Sequence, residues 1–384
     1  MIGSQPTFER ASEKSVTSQR RKLLLCIPDL EAGGAERVFS VLLQHLDRSC
    51  FEIHLAVLRA AGQYMQDVPQ DVAIHLLGAA RVRYTPLGIL RLAWKLRPHT
   101  IFSTLGHLNV AVIAARPFMP SGTRVLIREA TVPASFLQQV PRHPRLWRWL
   151  FRLFYKRADR IVCLSNSTID ELVVDFKVPR EKLVRIYNPI DMEKVHALAE
   201  LEGNPFCGSG PHLLSVGALR PEKGIDLLIE AMPSVLRHLP GAQLTVLGEG
   251  PQLRDLTEQS GKLGLSGNVR FLGFQKNPWR YMRFADVFVL PSRFEGLPNA
   301  LLEALTVGVR VVATDCPGGI REIQSHDSRM VLAPSENPAA LAEAIISACK
   351  FPATNSCSRQ SSQHMLAEFD LPQVMHEYSK LLLS

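Results

Sequence analysis

Short apolar runs alternate with stretches of helical spacing along most of this chain. In the first half the runs are KLLLCIP (22–28), FEIHLAVL (51–58), TIFSTLG (100–106), RVLIREA (124–130) and RIVCLS (160–165). In the second half they are HLLSVGAL (212–219), QLTVLGEG (243–250), VRFLGF (269–274), DVFVLPS (286–292), RVVATD (310–315) and RMVLAP (329–334). Uninterrupted apolar runs suit strands covered on both faces. Between them lie segments such as IDLLIEAMPSVLRHL (225–239), whose apolar residues recur at helical spacing. Strand alternating with helix predicts βαβ units and parallel sheets.

The rhythm breaks at 196–211, which ends in EGNPFCGSGP and is rich in Gly, Pro and Ser, so a linker is placed there. A chain of 384 residues exceeds one ordinary core. The expected fold is α/β with two doubly wound, Rossmann-like parallel-sheet domains, 21–195 and 212–365, facing across a cleft. Residues 1–20 read as a disordered leader. A final helix within 366–384 is expected to pack back on the first domain. No internal repeat of solenoid type is found.

Composition narrows the class. The chain is 46% hydrophobic and 21% charged, ordinary for a soluble globular protein, which excludes chain-wide disorder. The net charge of +8 is uneven: residues 1–190 hold 27 basic and 15 acidic side chains, and residues 191–384 hold 17 and 21. The first half is therefore expected to meet something anionic. Seven cysteines include no CxxC pair, and several lie in apolar runs, which fits buried free thiols rather than metal ligands. The first twenty residues lack the apolar core of a secretory signal. No apolar run reaches the 18 residues a membrane-crossing helix needs.

In open α/β sheets ligands sit beyond the carboxyl ends of the strands, so the loops there carry the candidate chemistry. After the first strand, Gly33 and Gly34 open a helix, where backbone N–H groups can meet an anion, although short glycine motifs more often mark a tight strand-to-helix turn. The spacing is neither GxGxxG nor a Walker A loop. His107 follows the third run and could hold a hydrogen bond or carry a proton, although a lone histidine is more often structural. Arg220 and Lys223 flank a tight turn before a helix, a pair suited to a diphosphate; two solvated loop charges are the alternative. Gly250 follows another strand, in a turn that could shape a pocket or serve equally as a structural turn. Glu295 and Glu303 have seven residues between them, with Pro298 positioned to open a helix. Glu295 then lies at the cleft mouth and Glu303 about 7 Å along the helix. Carboxylates accept from vicinal sugar hydroxyls, so one could hold a hexose and the other a ribose, with the helix N-terminus on the phosphates between them. A solvent-facing Glu303 is the plain alternative.

Taken together, SRFEGLPNALLEA (292–304), GALRPEKG (217–224) and GGAER (33–37) resemble the EX7E signature, the diphosphate-gripping segment and the glycine loop of retaining glycosyltransferases. The chain is similar to glycosyltransferase family four, the group 1 type of GT-B fold, over residues 22 to 350. That resemblance implies an acceptor-binding first domain and a nucleotide-sugar-binding second domain. It implies that Gly33 and Gly34 approach the diphosphate and that His107 hydrogen-bonds the donor sugar. Arg220 and Lys223 would bind the diphosphate and stabilise the departing nucleotide. Glu295 would contact the sugar hydroxyls and Glu303 the ribose, with Leu297, Asn299, Ala300 and Gly250 lining the donor.

The implied donor is a nucleoside diphosphate sugar, a UDP-hexose or UDP-N-acetylhexosamine first and GDP-mannose second, with no further cofactor. The chain has no DxD motif, so no catalytic metal is expected. Arg145, Arg148, Arg152 and Lys156 form a cationic stripe in 141–160, with Leu146, Trp149, Leu150, Leu153 and Phe154 read as the other side. Such a helix suits an anionic membrane surface and a lipid-linked acceptor, with the protein peripheral on the inner face of the cytoplasmic membrane; a covering helix with solvated arginines is the alternative. No nucleic-acid motif is found. Rival readings are an epimerase on the same fold and a non-catalytic nucleotide-sugar-binding subunit.

Overall fold

The structure is a computed structural model describing residues 20–384 apart from 32, 80, 134, 136, 138–142, 202, 327–329 and 351–365. The leader (1–19), part of the basic 141–160 segment, Cys357 and the Ser/Gln-rich stretch before the final helix lie outside the described residues.

The first sheet contains β1 Arg21–Cys26, β2 Phe51–Val57, β3 Ala73–Leu76, β4 Thr100–Thr104, β5 Arg124–Glu129, β6 Arg160–Cys163 and β7 Leu183–Arg185, in the order β3-β2-β1-β4-β5-β6-β7. Its helices are α1 Gly34–His45, α2 Thr85–Leu96, α3 Gly106–Ala115, α4 Pro144–Phe154 and α5 Asn166–Val174. After α6 Met192–Glu200 comes the second sheet: β8 His212–Val216, β9 Gln243–Leu247, β10 Val269–Phe271, β11 Val287–Leu290, β12 Arg310–Asp315 and β13 Met330–Pro334, in the order β10-β9-β8-β11-β12-β13. Its helices are α7 Ile225–His238, α8 Leu253–Lys262, α9 Pro278–Phe284, α10 Asn299–Val307, α11 Ile320–His326 and α12 Pro338–Cys349; α13 Leu371–Leu383 ends the chain. The paired strands are parallel in both sheets.

Both sheets are covered on two faces, which is why their strands read as unbroken apolar runs. Ile89, Val112, Phe151 and Ile169 bring α2, α3, α4 and α5 onto one face of the first sheet. Phe39 and Tyr378 bring α1 and α13 onto the other. In the second sheet α7, α8 and α12 share one core, and α6, α9, α10 and α11 share the opposite one. Two strands escaped the sequence reading. β3 is an edge strand with mostly exposed side chains, and β7 has three residues, so neither produces an apolar run. The linker is also placed differently. Residues 196–200 are helical, and Val195 and Ala199 of α6 are buried in the second domain's core, so the chain changes domain before that helix.

Strand order reverses between β1 and β4 in the first sheet and between β8 and β11 in the second. A crevice opens at the carboxyl edge of each reversal, where the flanking loops diverge. The loops that follow β1, β4, β8 and β11 carry Gly33 and Gly34, His107, Arg220 and Lys223, and Glu295.

The last helix returns to the first domain. Tyr378 is fully buried, with its ring 6.0 Å from that of Phe102 on β4. Tyr378→Ala is expected to lower stability by about 3–5 kcal/mol through the cavity it leaves, read as a lower melting temperature; an unchanged melt would separate α13 from the first domain's core.

Candidate functional site

The site begins with a strand end that cannot continue. After β11 the chain runs Pro291–Gly296 and turns into α10, with Pro298 as its N-cap residue and no side chain capping it. The sequence reading put Pro298 one position later, as the first helical residue. The uncapped N-terminus directs its backbone N–H groups toward the crevice, where they suit an anion. Glu295 is held in place by its own backbone: its N–H donates to Pro317 O at 3.0 Å, and it bridges to Gly318. Gly318 has φ +124°, and a Cβ there would overlap the Glu295 carbonyl, so another residue could not sit so close.

Glu295 is 7% exposed. Its Oε1 accepts from Lys223 Nζ at 2.6 Å and from Ser292 Oγ at 2.7 Å. Lys223 reaches it because the 220–224 turn is tied to the loop after β11. Arg293 donates from its backbone to Glu222 O at 2.8 Å and from its guanidinium to Pro221 O at 2.7 Å. It also forms a two-pronged ion pair with Asp226, at 2.8 and 2.7 Å, and a third contact with Glu336 at 2.7 Å. This clamp fixes the basic turn against the carboxylate loop. Gly250 lies under the same turn, against the backbone of Leu219. Arg220 is exposed at its entrance.

Glu303 is 1% exposed, so the solvent-facing alternative does not hold. Its counter-ion comes from the other domain: Arg37, in the first turn of α1, forms an ion pair with it. The Arg37 guanidinium also lies over the Trp279 ring of α9, 5.4 Å from its centroid. Burial pushes the Glu303 carboxyl above its usual range, and Arg37 and Trp279 pull it back. Next to Arg37, Glu36 folds over Gly33 at the start of α1. Burial raises its carboxyl too, against the pull of its own N–H, Arg220 and Arg128. Thus the glycine loop, Arg220 and Glu303 meet at one seam between the domains.

A second seam contact passes through Asn188. The fully buried Arg128, at the end of β5, donates to Asn188 Oδ1 at 2.6 Å. Asn188 Nδ2 donates to Leu297 O at 3.0 Å and Asn299 Oδ1 at 2.7 Å, and Asn299 Nδ2 donates to Gly34 O at 3.4 Å. Leu297 and Asn299 are therefore fixed by the first domain; Ala300 follows in the first turn of α10. His107 stands apart, in the first turn of α3. Burial lowers its pKa, opposed by Asp29, which lies beyond β1 rather than among the second-domain charges. Sequence reasoning assigned no role to Arg37, Glu36, Asn188, Arg128, Glu129 or Arg293. Only the first two carried a usable signal, as a charged pair one residue after two glycines.

Glu129 ends β5 and is buried with Tyr155, whose hydroxyl donates to Glu129 Oε2 at 2.5 Å. Burial pushes its carboxyl up to about 7, although the hydrogen bonds from Tyr155 and Thr131 favour the charged form. Among the described residues no group of three or more His, Cys, Asp or Glu is gathered to hold a metal ion.

Two family models divide this chain between them. Residues 32–194 match "Glycosyltransferase Family 4", and residues 202–364 match "Glycosyl transferases group 1". A lipopolysaccharide core biosynthesis glycosyltransferase, LpsE, of Rhizobium meliloti is 31% identical over 289 residues, 74% of this chain and 77% of the relative. The N-acetylgalactosamine-N,N'-diacetylbacillosaminyl-diphospho-undecaprenol 4-alpha-N-acetylgalactosaminyltransferase of Campylobacter jejuni is 29% identical over 374 residues, 94% of this chain and all of the relative. The fold is that of Anabaena HepE solved with UDP-glucose, at a TM-score of 0.76 and 18% identity, over 95% of this chain and 100% of that one. The chain belongs to the family four, group 1 glycosyltransferases, with the two-domain GT-B architecture.

Two outcomes test this electrostatic layout. Arg37→Leu leaves Glu303 buried without its cation, which is expected to cost about 2 kcal/mol near pH 7.5, below the range for a fully buried pair because Arg37 keeps some water contact. The loss should shrink as pH falls and Glu303 takes up a proton; denaturation across a series of pH values reads it, and a pH-independent loss would contradict the pairing. Glu129 is raised above its unfolded value, so it destabilises the fold as pH rises from about 4.5 through 7. Glu129→Gln removes that penalty, and the variant should gain on the order of 1–3 kcal/mol relative to wild type between about pH 5 and pH 8. Parallel stability–pH curves would refute it.

Proposed function

We propose that this glycosyltransferase moves a hexose or N-acetylhexosamine from a nucleoside diphosphate donor, with retention of anomeric configuration, to a lipid-linked sugar acceptor in surface polysaccharide or glycolipid assembly. The carrying observation is that Lys223, Glu295 and the uncapped start of α10 converge on one side of the cleft, with Gly34 within hydrogen-bond reach of Asn299 on the other. UDP is the first choice of nucleotide and GDP, with mannose, the second. The Campylobacter relative is named for a diphospho-undecaprenol acceptor, and HepE was solved with UDP and with UDP-glucose, which supports both halves of the reading.

In the proposed reaction the bond between the sugar and the diphosphate lengthens and negative charge gathers on the leaving phosphate. Arg220, Lys223 and the α10 N–H groups stabilise that charge where it develops. Lys223 joins the phosphate side to the sugar side through its bond to Glu295, which accepts from sugar hydroxyls. The acceptor attacks from the face the diphosphate leaves, and the departing phosphate oxygen takes its proton. Glu303 holds the ribose, so Arg37 must share or yield that carboxylate. His107 contacts the sugar from the first domain. The basic turn and the helix N-terminus supply the positive charge, so no metal is required.

Among the described residues no helix is long and apolar enough to cross a membrane. On α4 the exposed side chains are Arg145, Leu146, Arg148, Trp149 and Arg152, while Phe151 is buried and Trp147 and Leu150 pack inward. Leu146 and Trp149 therefore stand among the arginines rather than on the covered side, where the spacing had placed them. This mixed apolar and cationic stripe supports peripheral attachment to the inner face of the cytoplasmic membrane.

The test is nucleotide release from UDP-, GDP- and ADP-sugars, with and without EDTA and with membrane extract as acceptor. Release from one donor, insensitive to EDTA and reduced at least about 100-fold in Lys223→Ala and in Glu295→Ala, is expected. Tight nucleotide binding without release would favour a non-catalytic binding subunit, and inversion of the product's anomeric signal in proton NMR would overturn retention.

A further inference from the structure

Between Asp71 and Asp159 the chain has one acidic residue, Glu129, against fourteen Lys and Arg. Glu129 is 2% exposed, so this long segment offers solvent essentially no carboxylate. The segment builds α2, α3 and α4, which lie on one face of the first sheet. Most of α3 is buried, with Leu108 to Ile113 and Ala115 covered, so α2 and α4 form the outer surface on either side of it. Carboxylates return on α5, with Asp170 and Glu171, which bounds the basic face beyond α4.

Helix α2 repeats the device seen on α4. Tyr84, Leu87, Arg91, Trp94 and Lys95 are exposed along one stripe, with Arg81 and Arg83 before the helix and Arg97 after it. Leu87 is 70% exposed, and Phe118 beside this helix is 68% exposed. Trp94 Nε1 donates to the backbone carbonyl of Phe118 at 2.9 Å, which ties the exposed indole to the turn that carries the exposed Phe118. Arg83 lies over the Tyr84 ring and Arg97 over the Trp94 ring, at 4.8 and 6.0 Å from the centroids. Large apolar side chains flanked by cations, with no exposed acid between them, match a phospholipid interface, where indoles sit at headgroup depth and cations meet phosphate.

We infer that α2 and α4 together form a two-helix platform that docks on an anionic lipid bilayer, with residues 81–97 as a second membrane contact. This rests on the proposal that α4 meets the membrane and extends it to a separate element. Crossover helices run antiparallel to their strands, so both helices start at the carboxyl edge of the sheet. A bilayer on the platform therefore borders the acceptor side of the cleft, where a lipid-linked sugar would enter.

The test is co-sedimentation of the full chain with phosphatidylcholine vesicles and with mixed phosphatidylcholine–phosphatidylglycerol vesicles. Two double variants are compared, Leu87→Glu with Arg91→Glu on α2, and Arg145→Glu with Leu146→Glu on α4; circular dichroism and UDP binding confirm that each is folded. Each basic residue near an anionic surface contributes roughly fivefold in partition, so either variant alone should lose about tenfold or more on the mixed vesicles. Loss by the α4 variant with full binding by the α2 variant would overturn the two-helix platform while leaving the α4 contact standing. Equal binding to pure phosphatidylcholine, or retention by RNA with none by vesicles, would overturn lipid as the partner. None of these readings depends on glycosyl transfer.

Discussion

A carboxylate removed from water needs a cation or hydrogen-bond donors beside it, and this protein buries two at the corner where β11 turns into α10. Glu295 takes its cation from the same domain, through Lys223, while Glu303 takes its own from Arg37 across the cleft. The corner between them holds the uncapped, half-buried N-terminus of α10. Two acceptors suited to hydroxyls thus flank a region suited to an anion. The Arg293 clamp fixes the Lys223 side, and the Arg128–Asn188 link fixes Leu297 and Asn299 on the other.

This arrangement couples the β11–α10 corner to the packing of one domain on the other. Glu303 has the Arg37 cation beside it only when α1 of the first domain lies against α10, and Asn299 hydrogen-bonds Gly34 in the same position. Glu322 on α11 adds a further tie, accepting from the backbone of Ser167 and the hydroxyl of Tyr187. A substrate lying between the domains would touch groups whose charge balance depends on both.

Much of this was legible in the sequence because the deciding signals are local. Unbroken apolar runs gave the strands, and the spacing of Glu295, Pro298 and Glu303 located a strand–loop–helix corner. What stayed hidden depends on contacts between distant segments. Nothing around Asn188 marks it as a link between Arg128 and Leu297, some sixty residues to one side and over a hundred to the other. Arg37 sits in a quoted motif, yet its partner lies in the other domain. On α4, helical spacing separated arginines from apolar residues, but only packing on α3 shows that Leu146 and Trp149 face outward with the cations. The end of the first domain was misjudged because the Gly- and Pro-rich stretch follows α6, whereas the crossing precedes it.

The most direct measurement is calorimetric titration of the protein with UDP, UMP and uridine. If Arg220, Lys223 and the α10 N-terminus form a diphosphate grip, UDP should bind at least about tenfold more tightly than UMP, with the difference lost in Lys223→Ala. Equal affinity for UDP and UMP, undiminished by that substitution, would contradict the site described here.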